Sequence, residues 1–141
     1  MKTLLSKIIT ISFFLNLIWE NLQMPLYLNY AYGNFSHHFA MCVLATVIDT
    51  LLVLVFYSIF AIVHRNIWWV TNISKLDILF LLLIGGFIAI SIEKISVGHY
   101  WNYTNLMPLI PIFKVGLIPV LQMLLLPLIT FLLVKKTIRI G

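Results

Sequence analysis

Four stretches of this 141-residue chain stay apolar for about twenty residues each. That is the length an α-helix needs to cross roughly 30 Å of hydrocarbon at about 1.5 Å per residue. They run from about Leu4 to Met24, His38 to Val63, Leu76 to Val97 and Pro111 to Val134. Hydrophobic residues make up 62% of the chain and charged residues only 9%, where soluble chains carry about 25% charged residues. With so little charge to cover a water-facing surface, the solvent must be a bilayer, and the backbone must satisfy its hydrogen bonds as helices. The expected fold is all-α: one domain of four transmembrane helices in an up-down bundle.

Pro25 ends the first run because it cannot continue a helix comfortably, and Gly98 ends the third. The fourth carries Pro119 and Pro127, which free the carbonyls of Val115 and Met123 for other partners. The N-terminus has Lys2 and Lys7 ahead of an apolar run, as a signal peptide would. It lacks a small-x-small cleavage site, and Asn16, Trp19 and Glu20 interrupt the place for one, so a retained first span is expected.

An even number of spans puts both termini and the middle loop on one side. That side holds Lys2, Lys7, Arg65, Lys75, Lys135, Lys136 and Arg139; the other holds Lys94 and Lys114. Seven against two predicts cytoplasmic termini. The net charge of +5 thus reports orientation and is no argument for nucleic acid. Trp68 and Trp69 suit the cytoplasmic interface, and 26–37 and 98–110 become outer loops, the second strongly aromatic.

Against this background three carboxylates stand out: Glu20 in the first run, Asp49 in the second and Glu93 near the end of the third. A charge at mid-membrane costs on the order of 2.5–3.5 kcal/mol on insertion scales, so such residues face a protein interior or a cavity. Ser12, Asn16, Glu20, Gln23 and Tyr27 fall on one stripe of the first helix. Asp49 shares a face with His38, Cys42 and Phe56, flanked by Thr46 and Thr50. Glu93 shares one with Leu82, Gly86, Ala89 and Val97, where Gly86 and Ala89 allow close helix approach. Gln122 is the strongly polar side chain deep in the fourth run, and the Met107–Pro111 turn would press His99, Tyr100, Trp101 and Tyr103 back onto the bundle. Together these residues outline an outward-opening polar pocket with an aromatic roof.

Each feature also has a plainer reading. The carboxyls could be interhelical glue, the glutamines hydrogen-bonding structure, the aromatic loop an interfacial belt, and Cys42 a small packing residue. His37 and His38 are read as interfacial. Lys135, Lys136 and Arg139 read as an anchor to anionic lipid. The Asn34, Asn72 and Asn102 sequons are short matches common by chance. One cysteine excludes an intrachain disulfide and a CxxC site. No HExxH, Gly-rich phosphate loop or GxSxG elbow occurs and no cofactor is implied; Glu20, Asp49 and Glu93 offer the oxygen ligands a divalent cation takes, although nothing in the spacing requires a metal.

Three segments carry a resemblance: Trp19-Glu20-x-x-Gln23-x-Pro25-Leu26-Tyr27; Gly98-x-x-Trp101-x-Tyr103; and Met107-Pro108-x-x-Pro111 followed by Gly116-Leu117-x-Pro119-x-Leu121-Gln122. Over nearly the whole chain this resembles a family of small, uncharacterised bacterial four-span membrane proteins. The resemblance implies the fold and a bacterial inner membrane; the family has no established activity to carry over. A looser analogy is to membrane-embedded carotenoid and terpene cyclases, whose intramembrane Asp and Glu act as acids, although no paired-acid signature is visible here.

Three functions compete. The first is an acid–base enzyme on a lipid or isoprenoid, with Glu20, Asp49 and Glu93 catalytic and Asn16, Gln23, His99, Trp101, Tyr103 and Gln122 binding substrate. Asp49, the deepest, would be the neutral acid. The second is a proton- or cation-coupled transporter, which four spans would make only as a homodimer. The third is a non-catalytic partner of another membrane protein. Membrane lipid is the partner common to all three.

Overall fold

The computed structural model describes residues 2–28 and 35–140; Asn34 of the first sequon and half of the first predicted outer loop lie outside them. Four helices are long and apolar enough to cross a membrane: α1 (Lys2–Gln23), α2 (Phe35–Val63), α3 (Lys75–Ser96) and α4 (Leu117–Ile140). The chain is a four-helix membrane protein.

Each helix boundary has a local cause. Pro25 enters a 3-10 turn, Met24–Leu26, directly after α1. At 29 residues α2 is the longest helix, about 43 Å by its rise, more than the hydrocarbon needs. It ends in a Schellman motif. The Asn66 N–H donates to the Ala61 carbonyl, the Arg65 N–H donates to that of Ile62, and Arg65 takes the left-handed conformation at φ 50°. A capping box starts α3: Ser74 Oγ accepts from the Asp77 N–H, and the Asp77 carboxylate accepts from the Ser74 N–H at 2.8 Å. Gly98, at φ 84°, turns the chain out of α3.

The fourth helix departs from expectation. The apolar stretch from Pro111 was read as its start, but a two-stranded hairpin, β1 (Leu109–Ile110) with β2 (Val115–Gly116), occupies it. Hydropathy alone does not separate an apolar hairpin from an apolar helix. Helix α4 therefore begins at Leu117 and runs six residues past Val134. Pro119 lies in its first turn, where a missing N–H costs nothing. Val115 is in β2, so its carbonyl is not one freed from a helix.

Pro127 lies inside α4 and does free the Met123 carbonyl. That oxygen faces the backbone of α3 at Gly85, where an added Cβ would stand 2.8 Å from it. A Cα–H of Gly85 meets the freed carbonyl, the weak contact expected at close helix crossings. Gly85 therefore makes the close approach that was expected of Gly86, whose imagined Cβ meets only the Leu124 side chain at 3.3 Å.

Helix α1 packs on α2 and α4, and α4 packs on α3, whereas α2 and α3 scarcely touch. The order across the molecule is α2–α1–α4–α3, an open row folded around a gap between its two ends. At one end of the bundle Lys7 Nζ donates to the Thr137 carbonyl at 3.0 Å, which sets the two terminal segments together. The connection between α2 and α3 closes the gap there. Trp69 is buried, stacked 4.9 Å from Phe60 and edge-on 5.1 Å from Phe131, and His64 Nε2 lies 2.7 Å from Asp77 Oδ1. Of the two tryptophans read as interfacial, Trp68 stays exposed and Trp69 fills the core. With Leu4, Ile8, Val53, Phe56 and Val134 it seals this half of the bundle.

At the other end the chain after α3 zips onto the chain after α1. The Leu28 N–H donates to Asn102, the Thr104 N–H donates to Leu26, each at 2.9 Å, and Tyr27 bridges Tyr103. The loop before α4 is thus pinned by the chain after α1 rather than by the Met107–Pro111 turn, with Trp101 and Tyr103 turned inward and His99 and Tyr100 exposed.

Candidate functional site

The polar stripe of α1 faces inward: Ser12, Asn16, Gln23 and Tyr27 are buried. Where α1 meets α4, Gln122 organises a network. Its amide nitrogen lies 2.8 Å from Glu20 Oε1, 2.8 Å from Asp49 Oδ2 and 3.2 Å from Asn16 Oδ1. Two hydrogens serve three acceptors, so one of these bonds is shared. Gln23 donates to Glu20 Oε1 at 2.8 Å and to Gln122 Oε1 at 3.0 Å, and is itself oriented by Trp19 Nε1 at 3.1 Å. Asn16 donates to the Ser12 carbonyl and hydroxyl at 2.9 and 3.2 Å.

The Glu20 and Asp49 carboxyls are neighbours, because both accept from the one Gln122 nitrogen at 2.8 Å. The two side chains form a carboxyl pair contributed by two helices, with Gln122 from a third bonded to both. No paired-acid signature was legible in the sequence because the partners are 29 positions apart on antiparallel helices.

Glu93 comes in from α3, 4% exposed. Trp101 Nε1 donates to its Oε2 at 3.4 Å and the Tyr103 hydroxyl donates to the same oxygen. Tyr103 in turn accepts from the Gly116 N–H at 2.8 Å. Desolvation first, and the Glu93 carboxyl second, push the Tyr103 phenol above its ordinary value, so it stays a donor at neutral pH. Glu93 is therefore tied to the loop, apart from the Gln122 network, though it lines the same cavity as Glu20 and Asp49.

All three carboxyls line one cavity of about 180 Å³. Gln23, Tyr27, Trp101 and Gln122 complete its polar and aromatic side; Ala45, Ile48, Leu52, Ala89, Ile92 and Met123 form much of the rest. Apolar cavities of roughly 150 Å³ hold a benzene-sized molecule, so this one fits a head group or a short length of chain. Tyr27 stands edge-on to Trp101 with ring centroids 6.2 Å apart, at the loop side.

Of the residues expected here, Glu20, Asp49, Glu93, Gln23, Trp101 and Gln122 line the cavity. Asn16 is buried behind the network, and Tyr103 acts through Glu93 without lining the cavity. His99 is excluded: it is exposed on the turn after α3, where its N–H caps the Ser96 carbonyl. Cys42, read as a packing residue, belongs to the wall, its Sγ 3.9 Å from the Glu20 carbonyl and 3.8 Å from Met24 Sδ. Its place two turns from Asp49 on the same face was the available signal. Met24 and Tyr27 line the wall as well. Among the described residues no group of three His, Cys, Asp or Glu side chains is arranged to hold a metal ion.

No protein-family model, curated protein or solved structure matches this chain.

Proposed function

We propose that the protein is a membrane-embedded acid–base enzyme acting on a lipid or isoprenoid. The observation that carries this reading is the Glu20–Asp49 pair, bonded to Gln122 in the wall of a largely apolar cavity. Asp49 gives its proton to a substrate carbon or leaving group. Glu20 stabilises the positive charge that develops and then takes a proton from a neighbouring atom, which passes back to Asp49 before the next turnover. After a proton shift of this kind the pair carries the same number of protons as before, so no co-reactant is needed. Glu93, fixed by Trp101 and Tyr103, adds negative potential on the far wall.

The coupled-transport reading needs a path to the other face. The end near the termini is filled by Phe56, Trp69, Phe131 and their neighbours, which favours a blind reaction chamber. The bacterial inner membrane with cytoplasmic termini remains our reading of location. It is supported by the seven-to-two distribution of Lys and Arg, and it opens the cavity toward the outer leaflet.

The test uses vesicles of total bacterial lipid reconstituted with the protein in buffered D₂O. Mass spectrometry should find one lipid species gaining deuterium or converting with time, and Asp49→Asn should abolish the change. If no lipid changes with the wild-type protein, the enzymatic reading fails. Proton flux lost in Glu20→Gln vesicles would establish transport in its place.

A further inference from the structure

The cavity reaches the surface between two of the helices long and apolar enough to span a membrane. Its α2 wall is Ala45, Ile48, Asp49 and Leu52 and its α3 wall is Ala89, Ile92 and Glu93. These two helices scarcely touch, and among the described residues no third helix covers the seam between them. Ile48 and Ile92 line the cavity yet are 51% and 36% exposed, so they are the rims of a lateral opening. At the level of spanning helices, what lies outside that opening is hydrocarbon. The loop side is roofed by Tyr27 and Trp101, and the end near the termini is sealed.

The chemistry inside is one-sided. The lining holds three carboxyls and not one Lys, Arg or His. The amide hydrogens of Gln23 and Gln122 and the donors of Trp101 and Tyr103 already serve these carboxyls and their neighbours. A phosphate or carboxylate head would find no free donor there and would meet negative charge in a medium of low dielectric. A positively charged head would find carboxylates and the faces of Tyr27 and Trp101, the surroundings that hold ammonium groups elsewhere. The volume fits a group of about the size of benzene, so an attached chain must lie outside, in the bilayer.

We infer that the cavity is loaded sideways from the membrane, through the gap between α2 and α3, by an amphiphile with one apolar chain and a cationic head. This deepens the enzymatic proposal by naming the substrate class of the same cavity. Its test is a binding measurement that does not depend on turnover.

Protein in a neutral maltoside detergent is titrated with dodecyltrimethylammonium, and with dodecyl sulfate at equal chain length below denaturing levels. Binding is read by native mass spectrometry. The cation should bind about tenfold or more tightly than the anion. Glu93→Gln, whose neutral side chain keeps the acceptor for Trp101 and Tyr103, should narrow that preference. Ile48→Trp and Ile92→Trp, on the exposed rims, should weaken cation binding. Ile18→Trp, on the exposed back of α1, should leave it unchanged and shows that the fold tolerates an added ring. Equal binding of the two probes, preference for the anion, or rim variants that bind as wild type would each overturn the inference. A lost preference alongside persistent deuterium uptake by a lipid would overturn this inference alone. Intact cation binding without any lipid conversion would instead defeat the enzymatic proposal.

Discussion

Asp49 on α2 accepts a 2.8 Å hydrogen bond from Gln122 on α4, although those two helices otherwise make little contact. The bond crosses the molecule behind the cavity and joins the two arms of the open row through its middle. Gln122 is thereby both a structural tie and the group that aims the two carboxyls at the chamber.

Gln122→Leu should therefore destabilise the protein as well as disable it. Leaving buried acceptors unserved costs about 1–3 kcal/mol per group, whereas single interhelical bonds in membranes average nearer 0.6 kcal/mol. The network predicts a loss toward the upper figure, because Glu20 and Asp49 lose the same donor together. Equilibrium unfolding in mixed micelles with added dodecyl sulfate measures it. A loss below about 0.6 kcal/mol would mean the carboxyls are satisfied independently of Gln122.

Gly85 and Gly86 are adjacent, yet substitution should separate them sharply. A methyl group at Gly85 meets the Met123 backbone carbonyl at 2.8 Å, and a backbone atom cannot rotate away. Gly85→Ala should push α3 from α4 and cost about 1–3 kcal/mol. At Gly86 the neighbour is the tip of Leu124 at 3.3 Å, a side chain that can change rotamer. Gly86→Ala should stay within about 0.5 kcal/mol of wild type. The same micelle unfolding assay compares them, and equal effects would contradict the close contact.

These two glycines show why part of the structure was legible in the sequence and part was not. Span length is a property of single segments, so the first three helices were readable to within three residues at each end. The α1 stripe was readable because one helix with polar groups on one side has only one way to face. Which of two adjacent glycines meets a neighbour depends on the rotation of α3 against α4, and no single segment encodes that. Trp69 was misplaced for a related reason. An aromatic pair beside a basic residue looks interfacial, and only the Arg65 turn sends one ring inward. The hairpin at 109–116 was hidden by its own apolarity. Among site residues, Glu20, Asp49 and Gln122 announced themselves by polarity in hydrocarbon. Cys42 did not, because a thiol is apolar enough to need no explanation there.

Trp69 deserves a direct test of its structural role. It packs on Phe60, His64 and Phe131 and its Nε1 donates to the Tyr57 carbonyl at 3.2 Å. Trp69→Ala should cost roughly 3–5 kcal/mol, as for large buried aromatics, while Trp68→Ala, at an exposed ring, should change little. Since Trp69 lies at the sealed end, far from the carboxyls, cation binding per folded molecule should survive its loss. A variant that folds fully but binds nothing would show that the two ends of the bundle are coupled.

Tyr103 gives the site a pH signature with a definite sign. Its phenol is held above the ordinary value of about 10 by burial and by donation to Glu93. A group whose folded-state value is raised binds its proton more tightly folded than unfolded. Its contribution to stability is complete below the unfolded value and is lost as pH climbs through the folded one. Wild-type stability should therefore fall between about pH 10 and 12 more steeply than that of Tyr103→Phe. Lysines titrate over the same interval in both proteins and cancel in the comparison. Below pH 9 the variant should be the less stable by about 1–2 kcal/mol, because Glu93 loses a donor and the Gly116 N–H loses an acceptor. Melting temperatures of the pair, measured in detergent across this range, decide it: the two curves should converge as pH rises. Parallel curves would mean that the phenol is not held by Glu93, and the far wall of the cavity would lose its anchor to the loop.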